Sequence, residues 1–280
     1  MKSLYIFADS ERPDQYINSI VHCVLDLDVR SIHLIHIRGF GDSRGPDAGS
    51  DGVSARLLAA ILSQLTELAE RGEYTFLDGI RKGQRILLCE EYGEERAGQI
   101  QDLYKKALSR PQLSYSNSDI AYDQLRLRIG RIAKEGASAY VDVSSIRKKY
   151  MGDIVAAGLV EGLKQLNTFD ISSKPDYDRP WTMLVHDLGS AGMRDSGRLF
   201  SYTNILDTPV YRECSRVVVV RAPRLSFFAF STLALIFAAS IGYWLMGPND
   251  RFVQAAIAVS GIVASILSLV LVFVSPRKSL

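Results

Sequence analysis

Two hydroxyls and three cations follow a short apolar run in this sequence. Ser144 and Ser145 come directly after Ala139–Val143, and the basic run Arg147–Lys149 comes next. The start of a helix has unpaired N–H donors and partial positive charge, so cations there oppose the helix dipole unless an anion binds. The pattern therefore indicates a phosphate-bearing ligand. A capped helix with solvated lysines is the structural alternative.

Strand and helix patterns alternate over the first 166 residues, which predicts an α/β fold with a Rossmann-like, mostly parallel sheet. After Leu166 the strand-like segments TFDI, WTMLVHDL and RVVVVRAP predict an antiparallel extension. The predicted strands before them are Ser3–Ala8, Ser31–Ile37, YTFLDG, RILLC and Ala139–Val143. The predicted helices are QYINSIVHCVLDL, VSARLLAAILSQLTELAERG, EERAGQIQDLYKKALS, SDIAYDQLRLRIGRIAKEG and Met151–Leu166.

Ligands of open parallel sheets bind at the carboxyl ends of the strands, near a topological switch point. Two loops stand out at such ends: DSERPD after the first strand and SSIRKK after the strand that begins at Ala139. The candidate ligand-binding residues are Asp9, Ser10, Arg12, Asp142, Ser144, Ser145, Arg147 and Lys148.

The charge balance argues against a partner that is duplex nucleic acid. Residues 225–280 contain only four charged side chains, and the first 224 residues therefore hold 30 basic and 30 acidic ones. Duplex binders usually show a clear basic excess, so an anionic ligand must be held by a local cluster.

No cofactor or metal is predicted. The three cysteines are scattered without a CxxC pair and read as buried, reduced thiols of a cytosolic domain. The four histidines lack metal-ligand spacing; His33 and His36 lie three apart in a predicted strand and should point to opposite faces. GFGDSRG lacks the third glycine of a dinucleotide fingerprint, because Arg44 stands there.

Two uncharged runs near the C-terminus predict a transmembrane helical hairpin. Residues 225–246 and 252–274 each exceed 20 residues, which is enough for a helix to cross about 30 Å of hydrocarbon. Basic residues flank both outer ends (Arg216, Arg221, Arg224, Arg277 and Lys278), whereas the turn has one cation beside one acid. The bias places both termini and a cytoplasmic domain of residues 1–224 inside the cell. The spans have no strongly polar group at mid-membrane, so they resemble an anchor or an assembling element rather than a transporter.

The segment DVSSIRK resembles the strand-end signature of CARF domains, the Rossmann-like sensors of cyclic oligonucleotides in CRISPR-linked defence. That signature has an acidic or amide residue, a hydroxyl residue two positions on, and a lysine four beyond the hydroxyl. The corresponding residues here are Asp142, Ser144 and Lys148. The chain departs from the family at Ser145–Ile146, where a glycine pair is usual. The family also uses the loop after its first strand, which corresponds to Asp9–Arg12.

The resemblance implies a homo-oligomer, built on a dimer, that holds a cyclic oligonucleotide across its two-fold axis through Lys148 and the Ser10 loop of both subunits. Together with the two spans, it implies an effector of bacterial CRISPR or CBASS type that perturbs the inner membrane.

Two alternative functions stay open. One is an enzyme that cleaves nucleotides or phosphoesters, using Asp9, Glu11, Asp142 and His186–Asp187. The other is a membrane-tethered scaffold.

Overall fold

The computed structural model describes residues 1–10, 12–38, 52–76, 80–174, 176–189 and 199–213. It also describes nine single residues, all helical, at positions 230, 234, 236, 237, 240, 241, 254, 258 and 261. The chain divides into two compact units, Met1–Glu213 and Cys214–Leu280. Within these described residues, none of the helices has the length and apolar character needed to cross a bilayer. The remainder of the predicted hairpin and the predicted strand RVVVVRAP lie outside the described residues.

The first unit is built on a six-stranded sheet in the order β5-β2-β1-β6-β7-β8. Neighbouring strands are parallel, except that β8 runs antiparallel to β7. Strands β3 and β4 form a separate antiparallel ribbon. The strands are β1 (Ser3–Ala8), β2 (Ser31–Arg38), β3 (Glu73–Thr75), β4 (Arg85–Leu87), β5 (Ser114–Ala121), β6 (Ala139–Asp142), β7 (Leu166–Ile171) and β8 (Phe200–Asn204). The predicted α/β class, with a mostly parallel sheet and an antiparallel extension, is confirmed.

Helices cover both faces of this sheet. The helices are α1 (Asp14–Leu25), α2 (Val53–Thr66), α3 (Leu88–Tyr92), α4 (Glu94–Leu108), α5 (Leu125–Ala133), α6 (Lys148–Glu161) and α7 (Val185–Leu188). One apolar core joins α1, α2, α4 and α7 to the sheet face that carries Leu4 and Ile6. A second core joins α5 and α6 to the opposite face, which carries Tyr5 and Phe7. Because β1 is buried on both faces, all six of its residues are apolar or small.

The strand order creates a switch point between β1 and β6. The six main-sheet strands, numbered along the chain, lie in the order 3-2-1-4-5-6, which is the doubly wound arrangement. The chain leaves β1 into α1 on one face and leaves β6 into α6 on the other. The carboxyl ends of β1 and β6 therefore border the crevice where such sheets bind ligands.

Two predicted elements were wrong in type. SDIAYDQLRLRIGRIAKEG was expected to be one helix, but Ser118–Ala121 belongs to β5 and only Leu125–Ala133 is α-helical. WTMLVHDL was expected to be a strand, but it forms a 3-10 turn, Pro180–Met183, followed by α7. Short apolar runs do not distinguish a strand from a buried helical turn, and here Trp181 and Leu188 are buried without entering the sheet.

Two smaller expectations also differ from the structure. Helix α6 begins at Lys148 and ends at Glu161, so Leu166, predicted to be helical, is the first residue of β7. Cys23 is buried and free as expected, but Cys89 is exposed on α3, and Cys214 lies outside the described residues. The predicted burial is therefore confirmed for Cys23 and wrong for Cys89.

Candidate functional site at the carboxyl ends of β1 and β6

The β1–α1 loop and the β6–α6 loop meet at the switch point. Arg147 Nε lies 2.9 Å from Asp9 Oδ2, so the two loops are joined by an ion pair. Ser145 Oγ donates a hydrogen bond of 3.2 Å to the carbonyl of Gln15, in the first turn of α1. Residues that are 130 or more positions apart in sequence are therefore brought together. Glu11, in the middle of the β1–α1 loop, lies outside the described residues.

Two helices begin at this crevice without a side-chain cap. The N-cap positions are Pro13 for α1 and Arg147 for α6, and neither residue caps its helix with a side-chain hydrogen bond. The first amides of a helix have no intrahelical acceptor and carry partial positive charge. Two such helix starts, on opposite faces of one sheet, favour an anion in the crevice between them.

Lys148 is the first residue of α6 and is exposed. It makes no hydrogen bond or ion pair with any residue in the described part of the chain. Lys149 instead lies over the ring of Tyr150, with Nζ 4.4 Å from the ring centroid. Across the crevice Arg12 is exposed, and its backbone N–H donates to Ser10 Oγ at 3.2 Å. The cation best placed to receive an anion at the start of α6 is therefore Lys148.

Asp142 and Ser144 support the loop from beneath. Asp142 is 1% exposed, and its Oδ1 accepts a hydrogen bond of 2.9 Å from the Ser144 N–H. Ser144 Oγ accepts a hydrogen bond of 2.6 Å from the backbone N–H of Phe169 on β7. Burial raises the pKa of Asp142, although the donors around it act in the opposite direction. Both residues were predicted to bind the ligand directly, and the structure gives them hydrogen bonds that hold the loop.

The β1–α1 loop is held by a buried tyrosine. Tyr16 Oη donates a hydrogen bond of 2.7 Å to the carbonyl of Ser10, and the Ser10 N–H donates back to the same oxygen at 3.2 Å. Burial raises the pKa of this phenol. Ser10 therefore has a fixed backbone, and its hydroxyl accepts from the Arg12 N–H.

A cleft of about 370 Å³ adjoins the loops on the α1 side of the sheet. Its walls combine an apolar part, which includes Phe169, Met183 and Leu184, with the polar residues Gln15, Ser144 and Ser145. Pockets of this size and mixed character suit small organic ligands. Ser145 belongs to both the cleft and the ion-paired loop, so the two regions are continuous.

The ion pair between Asp9 and Arg147 should contribute little to stability. The side chain of Arg147 is 66% exposed, although that of Asp9 is only 8% exposed. Because the cation of the pair stays in water, we expect this pair to be worth little more than a surface pair, typically 0–1 kcal/mol. In a double-mutant cycle with Asp9→Asn and Arg147→Gln, we expect a coupling energy below about 1 kcal/mol by urea denaturation. The surface pair Arg126–Glu161, at 2.7 Å with an arginine of similar exposure, is the matched control. A coupling several times that of the control would contradict this expectation.

The described members of the catalytic group considered from the sequence make separate sets of contacts. His186 is 4% exposed, and its Nδ1 shares a hydrogen bond of 2.8 Å with the hydroxyl of Tyr104. Asp187 accepts a hydrogen bond from the hydroxyl of Tyr92. These contacts tie α7 to α3 and α4, whereas Asp9 and Asp142 make their contacts with the β6–α6 loop. No three His, Cys, Asp or Glu side chains among the described residues are grouped as metal ligands.

One histidine–carboxylate pair at the same edge of the sheet was not foreseen. His36 Nδ1 lies 2.9 Å from Asp119 Oδ1, at the ends of β2 and β5. Asp119 Oδ1 also accepts from the Ser54 N–H at 3.3 Å, and Oδ2 accepts from Ser54 Oγ at 3.1 Å, so the carboxylate caps the start of α2. A Cβ at Gly52 would lie 2.0 Å from Asp119 Oδ2, so this approach requires glycine. The pairing could have been found only by recognising β5 as a strand.

These features define the chain as a doubly wound α/β protein with a candidate anion site at its switch point. A scan against protein-family models finds no match. A search of curated proteins finds none either. A search of solved structures finds Enterococcus italicus Csm6 bound to cyclic hexa-2′-fluoro-hexa-dAMP, with a TM-score of 0.36, 10% identity, and coverage of 96% of this chain and 56% of that chain. This chain thus spans just over half the length of the matched chain. At so low a TM-score, this similarity carries no argument about the present chain.

Proposed function

We propose that this chain is a membrane-anchored sensor of a cyclic oligonucleotide. The ligand binds at the crevice between β1 and β6, and its binding is passed to a two-span hairpin that perturbs the inner membrane in antiviral defence. The observation that carries the proposal is the meeting at the switch point of two helix starts without a side-chain cap, beside Lys148, which has no ion pair among the described residues.

The chemistry of this crevice suits a phosphodiester. The free amides at the start of α6 and the Lys148 ammonium can each donate to a phosphate oxygen, and charge-assisted bonds of this kind are the strong ones. Arg147 is exposed and reaches Asp9 through one guanidinium nitrogen, so its remaining N–H groups can turn to a second phosphate. Ser10 and Arg12 lie on the facing loop. A ligand with several phosphates would contact both loops.

The adjoining cleft favours a nucleotide over inorganic phosphate. Its volume of about 370 Å³ is within the range of small-molecule sites. Phe169 and Met183 offer apolar surface to a base, and Ser145 offers a hydroxyl beside the phosphate-binding loop. A base and sugar can therefore lie in the cleft while the phosphate stays at the helix starts.

The membrane part of the proposal rests mainly on the sequence. Residues 225–246 and 252–274 carry no charge and have the length of spans. Phe230, Phe237 and Ile241, in the first run, are helical and expose 75%, 68% and 45% of their surface. Large apolar side chains that face outward from a helix are expected where lipid surrounds it. We propose two spans with both termini cytoplasmic, in a homo-oligomer.

The sensor is tested by isothermal calorimetry of the full chain, in detergent, against cyclic di-, tri-, tetra- and hexanucleotides. We expect one of them to bind, and Lys148→Glu to weaken that binding at least 30-fold, because it replaces a phosphate donor by a repelling carboxylate. Lys82→Glu, which makes the same charge change in the exposed turn between β3 and β4, should leave binding within twofold. Failure of every nucleotide to bind, or equal losses in the two variants, would contradict the proposal.

A further inference from the structure

The Asp9 carboxylate is buried at the crevice between β1 and β6. It comes directly after the last residue of β1, and its side chain is only 8% exposed. Its Oδ2 forms no hydrogen bond with any residue in the described part of the chain. Arg147 Nε lies 2.9 Å from this oxygen, so the contact is an ion pair without hydrogen-bond geometry. A buried carboxylate is costly unless a cation offsets its lost hydration, and here Arg147 is that cation.

The two partners of this ion pair differ in their freedom to move. Asp9 is followed by Ser10, whose backbone N–H and carbonyl both bond to the Tyr16 hydroxyl. The side chain of Arg147 is 66% exposed. Its backbone is held separately, because its carbonyl accepts a hydrogen bond of 2.9 Å from the Tyr150 N–H in the first turn of α6. The guanidinium is therefore the part that can turn from Asp9 towards another anion.

A phosphate at the start of α6 would need the same guanidinium. Arg147 is the N-cap residue of α6 and directly precedes Lys148, and arginine commonly binds phosphate through two parallel N–H groups. Once Arg147 turns to the phosphate, Asp9 keeps a negative charge at 8% exposure without its partner. Both the broken pair and the repulsion between the two anions oppose binding.

We propose that the ion pair between Asp9 and Arg147 is an autoinhibitory contact, which the phosphate of an incoming ligand must break. The identity of that ligand rests on the proposed function, whereas the contact is a property of the ligand-free chain. A coupling of about 1 kcal/mol corresponds to a factor of about five in an equilibrium constant. The contact therefore raises the ligand concentration at which the site fills and does not prevent binding. Asp9 acts on the ligand through Arg147 rather than as one of its hydrogen-bond partners.

The contact is tested without nucleotide by the rate at which phenylglyoxal modifies Arg147, followed by mass spectrometry of the full chain in detergent. Asp9→Asn keeps the size of the side chain and removes its charge, so we expect Arg147 to react at least threefold faster. Arg126 is the matched control, because Glu161 lies 2.7 Å from its Nε and its side chain has a similar exposure of 70%. Glu161→Gln should accelerate Arg126 and leave Arg147 unchanged. An unchanged rate at Arg147 in Asp9→Asn would overturn the proposal.

Calorimetry with a cyclic nucleotide that binds the wild type tests the inhibition. We expect Asp9→Asn to tighten binding at least threefold, and Glu161→Gln, at the far end of α6, to leave it within twofold. Asp9→Ala makes the same charge change and decides the matter if the asparagine variant does not fold. Weaker binding in the folded Asp9 variant would show that this carboxylate contacts the ligand directly, against the proposal. If no nucleotide binds the wild type, the proposed function fails, while the modification rates still decide whether Asp9 holds Arg147.

Discussion

Replacement of Asn18 by alanine is expected to lower the free energy of unfolding by about 2–6 kcal/mol. Asn18 is 5% exposed, and its side chain bridges α1 to the segment before α7. Nδ2 donates to the Met183 carbonyl at 2.8 Å, and Oδ1 accepts from the Val185 N–H at 2.7 Å. Alanine leaves both backbone groups buried without a partner, and each such group costs about 1–3 kcal/mol.

Urea denaturation of the full chain measures this loss, and Gln15→Ala is the control. Gln15 carries the same amide group on the same helix but is exposed, so its replacement should change stability by less than about 0.5 kcal/mol. Asn18→Asp keeps the acceptor for Val185 and sets a carboxylate oxygen against the Met183 carbonyl, so it should also destabilise. A loss below 1 kcal/mol in Asn18→Ala would mean that water replaces both bonds at little cost.

Acidification from pH 7 to pH 5 should cost the chain about 2 kcal/mol through His186 alone. Burial lowers the pKa of His186 to about 3, from an ordinary value of 6.5. In the unfolded chain this histidine takes up a proton below pH 6.5, whereas in the folded chain it stays neutral down to about pH 3. Protons thus favour the unfolded state, so the contribution is full above pH 6.5 and is lost as the pH falls.

The check is a series of urea titrations between pH 5 and pH 7 for the wild type and His186→Gln. Glutamine retains an acceptor for Tyr104 but does not titrate in this range, so the variant should lose about 2 kcal/mol less than the wild type on acidification. Tyr104→Phe removes the hydroxyl that reaches His186 Nδ1 and should lower stability at every pH while keeping the wild-type slope. Parallel pH profiles for the wild type and His186→Gln would show that the imidazole is accessible to protons in the folded state.

The central strands, and with them the position of the candidate site, could be predicted because a strand that is buried on both faces has a nearly continuous apolar sequence. β1 was predicted with its observed bounds, and β2 differs only by Arg38. A strand covered by helices on both sides is an almost continuous apolar run. The polar residues that end such runs, as Ser144 and Asp9 do, then lie at the carboxyl edge by the logic of the fold.

The edge strands β5 and β8 could not be predicted, because their sequences are mostly polar and lack a continuous apolar run. β5, SYSNSDIA, has one paired edge only and leaves Ser114 and Ser116 outside the core. It contains one large buried apolar residue, Ile120, so its pattern resembles a loop and its end was absorbed into the next helix. β8, FSYTN, is similar, with Phe200 as its buried residue. The environment that makes them strands is supplied by β2 and β7.

The roles of individual site residues were also beyond the sequence. Whether Ser144 Oγ faces a ligand or a backbone amide depends on Phe169, which is 25 residues away. Whether Asp142 faces solvent depends on α1 and β8, which cover it. The residue types and their spacing located the loop. Only the packing around the loop distinguishes residues that hold it in place, such as Ser144, from exposed residues, such as Lys148.

The thin β6–β7 ladder has a mechanical consequence. β1 is matched to β2 over six residues and β2 to β5 over eight, whereas β6 and β7 share two matched pairs. Tension applied through the C-terminal end would therefore separate β6 from β7 first, because the fewest residue pairs hold these two strands together. Strands β7 and β8 would leave together, and the four strands β5, β2, β1 and β6 would stay paired.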